Sequence, residues 1–226
     1  MPEARAPKDL RCSRRLEAEA FRRGWRLVAG TDEAGRGALL GPLYAAAVIL
    51  DPARPIPGVD DSKKLKPSER LELSAEIRAK AVAWQVASVS AEEIDRWNVY
   101  EASRRAMICA LRALNPPPDF VLTDAMPLTR GKGDPAAFAI PYRAIIHGDA
   151  RSVSIAAASI LAKVERDAHL EELGRQFPQY HLERNKGYGT AEHLEALHRF
   201  GPCTEHRRSY HPVIDQLSPH LFFVEA

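Results

Sequence analysis

Apolar and polar positions alternate along the chain with two different periods, which predict strands interleaved with helices. Two apolar, strand-forming runs, Arg26–Asp32 and Leu43–Leu50, are separated by the glycine-rich stretch Gly35–Gly41, and this arrangement predicts a hairpin-like pair. Three further runs are predicted to be strands: Val82–Val89, Phe120–Leu122 and Ala139–Ile146. Three stretches with helical spacing are predicted to be helices: Pro67–Lys80, Ala91–Leu114 and Ala150–Phe177. This order favours a mixed α/β fold with a central sheet.

The composition shifts towards both ends of the chain. Residues 1–25 are rich in arginine and lysine, and we expect a basic arm with a short helix that is either a solvated surface or a binding site. Residues 26–177 contain the predicted strands and are expected to form the α/β domain. Beyond Pro178 the chain is rich in histidine without the spacing of a zinc site, and residues 178–226 are predicted to be a helical C-terminal extension.

Length and composition exclude several classes of protein. A chain of 226 residues that is 45% hydrophobic can bury one sizeable core. Lysine and arginine total 32 against 30 acidic residues, so a protein that coats nucleic acid by bulk positive charge is not expected. The three cysteines form no CxxC pair, which argues against a disulfide framework and favours reduced thiols in the cytoplasm. No stretch is long and apolar enough to predict a membrane span.

Carboxylates recur where the apolar strands end. Asp32 and Glu33 are adjacent at the end of the first strand, Asp124 follows the fourth strand, and Asp149 follows the fifth. Adjacent buried carboxylates repel each other unless a cation lies between them. Oxygen ligands without cysteine suit Mg²⁺ or Mn²⁺, and paired ions of this kind can support phosphodiester hydrolysis. Each acid taken alone could equally be a turn residue, and Asp149 could be the N-cap of the following helix.

A short glycine-containing loop follows these first acids directly. Gly35, Arg36 and Gly37 match neither the dinucleotide-binding pattern G-x-G-x-x-G nor the P-loop pattern. The glycines suit a close backbone approach to a ligand, with Arg36 available for a phosphate. The alternative is that they simply form the turn.

Two other segments carry residue types that are typical of contacts with nucleic acid. Ser62 and Lys63 offer a hydroxyl and a cation to a phosphate backbone, although a solvated turn would have the same composition. Tyr188 lies between two glycines and could present its ring to a sugar or a base. It could also be a loop tyrosine that covers the core.

The chain contains five ordered segments that resemble those of bacterial ribonuclease HII, a type 2 ribonuclease H: TDEAGRG, DDSKKL, LTDA, HGDARSVSIAAASILAKVERD and NKGYGT. The resemblance extends from about Gly30 to Val213. It implies a ribonuclease H-like fold, in which a mixed central sheet is flanked by helices and a helical C-terminal extension covers the substrate. It also implies an endoribonuclease that hydrolyses the RNA strand of RNA–DNA hybrids. Single ribonucleotides embedded in duplex DNA would be cut on their 5′ side, leaving a 3′-hydroxyl and a 5′-phosphate.

The resemblance also implies roles for individual residues, with Mg²⁺ or Mn²⁺ as the cofactor. Four acids match the metal ligands of the family: Asp32, Glu33, Asp124 and Asp149. Six residues match its substrate contacts: Gly35, Arg36 and Gly37 at the 2′-hydroxyl, Ser62 and Lys63 at backbone phosphates, and Tyr188 against a sugar. Asp167 lies in a similar ERD segment, but the GD motif assigns the fourth acid to Asp149.

One segment departs from the family pattern. The stretch Thr129–Phe138 is longer than is usual between the third and fourth acids, and we expect an exposed loop there. It leaves the four acids in place.

Two other functions remain open at this point. A metal-dependent DNA nuclease or an integrase-like strand-transfer protein of the same broad fold would share the acids but not the loop for the 2′-hydroxyl. A catalytically silent nucleic-acid-binding module would explain the cations but not the acids, since carboxylates near phosphates weaken binding unless metal is present. For the enzyme, the expected partners are RNA–DNA hybrids and duplex DNA containing ribonucleotides, bound by a monomer.

Overall fold

The computed structural model describes residues 12–129 and 138–217, and its centre is a mixed sheet. The strands are β1 (Val28–Ala34), β2 (Leu43–Ile49), β3 (Ala83–Val89), β4 (Phe120–Asp124) and β5 (Tyr142–Ile145). They lie in the order β3-β2-β1-β4-β5. β1, β2 and β3 pair antiparallel, whereas β4 and β5 run parallel to β1. Because β1, β4 and β5 are parallel, their carboxyl ends lie at the same edge of the sheet.

Helices flank the sheet and continue into a helical C-terminal extension. The first group is α1 (Arg15–Arg22), α2 (Pro67–Lys80), α3 (Ala91–Trp97), α4 (Val99–Arg112) and α5 (Val153–Gln176). The extension begins with a 3₁₀ turn at Pro178–Tyr180 and continues with α6 (Leu182–Asn185), α7 (Ala191–Phe200) and α8 (His211–Leu217). The predictions of a mixed α/β fold and of a helical extension are confirmed.

The core has two layers, one on each face of the sheet. On one face, Met107 of α4 packs in a buried cluster with Ala29 of β1. On the other face, the fully buried run Ala156–Ala158 brings α5 close to the sheet. A Cβ at Gly30 would lie 2.1 Å from the backbone carbon of Ser154, so β1 and α5 touch through their backbones. Glycine at this position therefore sets the distance between the strand that carries the first acids and the long helix.

Two predicted elements, one helix and one strand, differ clearly from the structure. The predicted helix Ala91–Leu114 is divided at Asn98, which has φ +68° and accepts a hydrogen bond from the N–H of Glu101, so that it caps α4. The strand predicted over Ala139–Ile146 is shorter, as β5. Three parts of the predictions lie outside the described residues: residues 1–11 of the basic arm, residues 130–137 of the exposed loop and residues 218–226 of the C-terminal extension.

The C-terminal extension is anchored to the segment that follows the glycine loop. Leu40 is fully buried in a cluster with Leu170 and Leu173 of α5 and with Tyr180 and Leu182 of the extension. The extension therefore holds the loop between β1 and β2 from one side. Within residues 12–129 and 138–217, no helix combines the length and the apolar character that a membrane crossing requires.

Candidate active site

Three carboxylates meet at the edge of the sheet where β1 and β4 end. Asp32 lies on β1 and Asp124 ends β4, and the parallel register that pairs Thr31 with Thr123 places them side by side. Asp149 lies in the turn between β5 and α5. One oxygen atom from each of the three carboxylates lies within 4.8 Å of the others. The parallel strands therefore bring together three acids that are far apart in the sequence.

The turn before α5 presents Asp149 to the other acids rather than to the helix. Ser152 is the N-cap of α5, because its Oγ accepts the N–H of Ile155 at 3.2 Å. The N–H of Gly148 donates to Oδ1 of Asp124 at 2.7 Å, which ties this turn to the end of β4. The interpretation of Asp149 as the helix cap is therefore wrong.

Glu33 lies next to Asp32 but is turned towards the glycine loop. Its Oε1 accepts a hydrogen bond from Nη1 of Arg36 at 3.2 Å, whereas its Oε2 is buried without a hydrogen-bond partner. Burial raises the pKa of Glu33 to about 7, although the charge of Arg36 opposes this shift. A buried carboxylate oxygen without a partner is costly, so this oxygen fits a position that a bound cation would complete.

The acids carry more negative charge than the nearby cations offset. Burial and three neighbouring carboxylates raise the pKa of Asp32 well above its ordinary value, and burial and Asp149 raise the pKa of Asp124. Nζ of Lys63 lies 3.2 Å from Oδ2 of Asp149. Desolvation of the ammonium group lowers the pKa of Lys63, but the charge of Asp149 and this hydrogen bond raise it more. Since every donor in the group is an oxygen atom, the group fits a hard divalent cation such as Mg²⁺ or Mn²⁺.

The glycine loop needs glycine because of what lies behind it. Gly35 has φ +96°, and a Cβ there would lie 2.1 Å from Nε of Arg166. Arg166 of α5 is fully buried, and its Nε donates to the carbonyl of Pro42 at 3.2 Å. At Gly37 the atom nearest to a Cβ would be in the Tyr188 ring, 3.9 Å away. The loop is therefore packed at Gly35 and has space around Gly37.

Tyr188 lies across the cleft from the acids and beside this loop. It forms an antiparallel bridge with Ala38, which follows Gly37. The guanidinium carbon of Arg166 lies 5.4 Å from the centre of the tyrosine ring. Tyr188 is 39% exposed, which argues against the alternative that it covers the core. Arg166 thus supports both the loop and the tyrosine.

The predicted site residues share one cleft of about 530 Å³. Nine of the ten residues line this cleft. The tenth, Asp149, forms a hydrogen bond with Lys63, which is one of the nine. Ser62 is buried, with its Oγ 2.9 Å from Oγ of Ser159, whereas the side chain of Lys63 is 79% exposed. Lys63 is thus accessible to a ligand while it is paired with Asp149, and the Ser62 hydroxyl is already engaged with α5.

Several residues of the cleft and of its support were not found by sequence reasoning. His147 lines the cleft, and its charge lowers the pKa of Asp124. Arg207 is fully buried, and its Nη1 donates to the carbonyl of Arg36 at 2.9 Å. No local pattern distinguishes such a buried arginine from a surface one. Asp167 is bonded to Lys163 at 2.6 Å and is not among the three converging acids.

A pair of buried histidines in the extension holds the backbone of Tyr188. Nδ1 of His193 lies 3.0 Å from the carbonyl of Tyr188, and Nε2 of His193 lies 3.2 Å from Nε2 of His206. Nδ1 of His206 accepts the N–H of Cys203 at 3.0 Å. The carbonyl of Tyr188 requires a proton on Nδ1 of His193, and the N–H of Cys203 requires a lone pair on Nδ1 of His206. The contact between the two rings then has one donor if both rings are neutral and His206 is protonated on Nε2. Burial lowers the pKa of both, that of His206 to about 4.

Comparison with known proteins identifies the family of the chain and its fold. The family described as Ribonuclease HII matches residues 29–213. The ribonuclease HII of Solibacter usitatus is 51% identical over 203 residues, covering 90% of this chain and 86% of that protein. The ribonuclease HII of Geobacillus kaustophilus is also 51% identical over 203 residues, covering 90% of this chain and 75% of that protein. The crystal structure of ribonuclease H2 from Pyrococcus horikoshii OT3 matches with a TM-score of 0.70 and 26% identity, covering 86% of this chain and 98% of that chain. The chain therefore belongs to the ribonuclease HII family and has its ribonuclease H-like fold.

Proposed function

We propose that the protein is an endoribonuclease that hydrolyses the RNA strand of RNA–DNA hybrids. It also cuts on the 5′ side of single ribonucleotides embedded in duplex DNA, leaving a 3′-hydroxyl and a 5′-phosphate. Membership of the ribonuclease HII family supports this reaction. The observation that carries the proposal is the convergence of Asp32, Asp124 and Asp149 within 4.8 Å, in a cleft whose other walls are the Gly35–Gly37 loop and Tyr188.

The four acids would hold Mg²⁺ or Mn²⁺ as the cofactor. Asp32, Asp124 and Asp149 offer converging oxygen atoms, and Glu33 offers the buried Oε2 that has no partner. When bound, such ions polarise the phosphate and lower the pKa of a water molecule. Both ions suit this set of oxygen ligands, because their ligand preferences overlap.

Side chains around the acids bind and orient the scissile phosphate. Lys63 is exposed and carries an ammonium group at the edge of the acid group, so it can donate to a phosphate oxygen. Arg36 is 47% exposed at its side chain and can do the same from the glycine loop, where it is paired with Glu33. Ser62 holds the loop that carries Lys63, through its bond to Ser159 of α5. These contacts would place the phosphate against the acids.

Selectivity for ribonucleotides would come from the walls that lie beside the acids. The backbone of the Gly35–Gly37 loop can approach a sugar closely, because the space at Gly37 is free of side chains to within 3.9 Å. Backbone groups there can hydrogen-bond a 2′-hydroxyl, which DNA lacks. Tyr188 presents an exposed ring on the same side, where it can stack on the neighbouring sugar.

The proposal is tested by removing one charge from the acid group. Asp124→Asn keeps the oxygen atom that accepts the hydrogen bond from the Gly148 amide. It is expected to lower cleavage by more than about 100-fold, because the loss of a metal ligand should cost more than the loss of a residue that only supports a ligand. The substrate is a duplex with one embedded ribonucleotide at saturating Mg²⁺. Asp167→Asn is the matched control, since Asp167 is a nearby acid bonded to Lys163 instead.

Substrate and product analysis separate this function from that of a DNA nuclease. Wild-type protein should leave an all-DNA duplex intact and should cut the ribonucleotide-containing duplex at one position, 5′ of the ribonucleotide. Normal turnover by Asp124→Asn, or equal cleavage of both duplexes by the wild type, would refute the proposal.

A further inference from the structure

Glu17 of α1 is buried against the first turn of α5. Its Oε1 accepts hydrogen bonds from Oγ of Ser152 and, at 3.0 Å, from the N–H of Ser154. Glu17 is only 4% exposed, although it belongs to the basic N-terminal segment. An acidic side chain is rarely buried unless it has specific partners, so this contact calls for a role.

The N-terminal segment completes the hydrogen bonding of α5. The first amides of a helix have no partners within the helix. In α5, the N–H of Val153 donates to the carbonyl of Ser13 at 3.4 Å and that of Ser154 donates to Glu17, while that of Ile155 donates to the N-cap hydroxyl. Two of these three acceptors therefore come from residues far away in the sequence.

The charge of Glu17 suits the helix end that it contacts. Its Oε2 is buried without a hydrogen-bond partner, and the carboxylate lies at the positive amino end of the 24-residue α5, which favours a negative group. Leu16 and Ala20 pack in one buried cluster with Val28 and Ile155, which fixes α1 to β1 and α5. Apolar packing thus places α1, and Glu17 links it to the start of α5.

The same contact leads directly to Asp149. The N–H of Ser152 donates to the carbonyl of Gly148 at 2.9 Å, which closes the turn that contains Asp149. The N–H of Gly148 in turn donates to Asp124. Two hydrogen bonds therefore connect Glu17, through Ser152, to the backbone of the turn that contains Asp149. A shift of Ser152 would move Asp149 and disturb the hydrogen bond to Asp124.

We propose that Glu17 is a positioning residue for Asp149, so that the N-terminal helix is part of the support of the metal-binding site. This inference rests on the proposed metal-binding role of Asp149. Loss of Glu17 is expected to weaken Mn²⁺ binding by about tenfold, the size of effect seen for partners of metal ligands. The protein should remain folded, because α1 keeps its apolar contacts.

The test measures Mn²⁺ binding to the full chain by titration calorimetry. Glu17→Ala is compared with Glu19→Ala, which removes the same charge from the same helix, where Glu19 bonds Arg23 and Arg143. Leu111→Ala truncates a buried side chain on the other face of the sheet and controls for general destabilisation. Glu17→Gln keeps an oxygen acceptor and should retain most of the affinity. Hydrogen exchange at the Ser154 amide should be faster in Glu17→Ala alone.

Two results would overturn the inference: wild-type Mn²⁺ affinity in a folded Glu17→Ala protein, or an equal loss in Leu111→Ala. If Glu17→Ala does not fold, the same measurements are made on Glu17→Gln. Loss of Mn²⁺ binding by Glu17→Gln, with hydrogen exchange at the Ser154 amide as slow as in the wild type, would overturn the inference. Asp149→Asn is measured in parallel. Normal cleavage and Mn²⁺ binding by Asp149→Asn would refute the metal-binding assignment itself. Loss in Asp149→Asn with full binding in Glu17→Ala would refute only the positioning role.

Discussion

Asp32→Asn is expected to abolish cleavage and yet to stabilise the metal-free protein. The side chain of Asp32 is buried, and its carboxylate lies within 4.8 Å of those of Asp124 and Asp149 at their nearest oxygens. The substitution removes the charge but keeps Oδ1, which accepts the N–H of Glu33 at 2.7 Å. Repulsion is lost while the hydrogen bond from the Glu33 amide is kept.

The expected gain in the free energy of unfolding follows from the spacing of the carboxylates. Two unit charges 4.8 Å apart repel by about 3 kcal/mol at an effective dielectric constant near 20. Lys63 and partial protonation reduce this repulsion, so the gain in the free energy of unfolding should be about 2 kcal/mol. For a chain of this size the corresponding rise in melting temperature is roughly 4 to 8 °C.

The stabilisation by Asp32→Asn is also expected to depend on pH. Because burial and neighbouring carboxylates raise the pKa of Asp32 in the folded protein, the protonated form is favoured there. The contribution of Asp32 to the stability of the metal-free wild type is therefore greatest below the ordinary carboxyl pKa, and it is lost as the pH rises through the raised value. The advantage of Asp32→Asn should be large at pH 8 and small at pH 5.

Urea unfolding followed by far-ultraviolet circular dichroism, in EDTA and in Mg²⁺, measures both effects. In Mg²⁺ the wild type should gain stability and Asp32→Asn should gain little, because ligand binding stabilises only the form that binds. Cleavage of a ribonucleotide-containing duplex is recorded for the same samples. A variant that is less stable than the wild type in EDTA at pH 8 would refute the electrostatic reasoning.

Two further predictions concern the wall formed by the C-terminal extension. Tyr188→Ala should lower cleavage at single ribonucleotides by about 5-fold to 150-fold, because the loss of one stacked ring costs about 1 to 3 kcal/mol. Tyr188→Phe should remain active, and unchanged cleavage by Tyr188→Ala with an unchanged melting temperature would contradict the stacking role. The contribution of His206 to stability should be lost as the pH falls from about 6.5 towards 4, because burial lowers the pKa of His206 in the folded state and protonation of Nδ1 would set two donors against each other at Cys203. His206→Asn should show a flatter unfolding free energy between pH 7 and pH 5, and an identical slope in the two proteins would exclude His206 as the cause.

Much of the fold was accessible from local pattern. The helix predicted over Pro67–Lys80 was confirmed at both ends, because proline fixes its start and the buried Leu73 and Ile77 lie four residues apart on one helix face. The single helix predicted over Ala91–Leu114 was wrong, since apolar spacing continues through Asn98 while the backbone there adopts φ +68°. Periodicity records which residues are buried, and it does not record a change of helix axis.

By itself, the sequence determined the chemistry available to this protein. It contains adjacent acids at a strand end, two more acids after later strands, a glycine loop and the ordered segments that identify the family. These are local features, because each depends on neighbours in the chain.

Only the tertiary structure decided how these parts meet. The parallel placement of β4 beside β1 brings Asp124 next to Asp32, and close packing of α5 at Gly30 sets the depth of the site. The burial of Arg166 behind Gly35 and of Glu17 at the start of α5 has no local signal. Such contacts join residues distant in the chain, and they form because buried charges must find partners within the folded core.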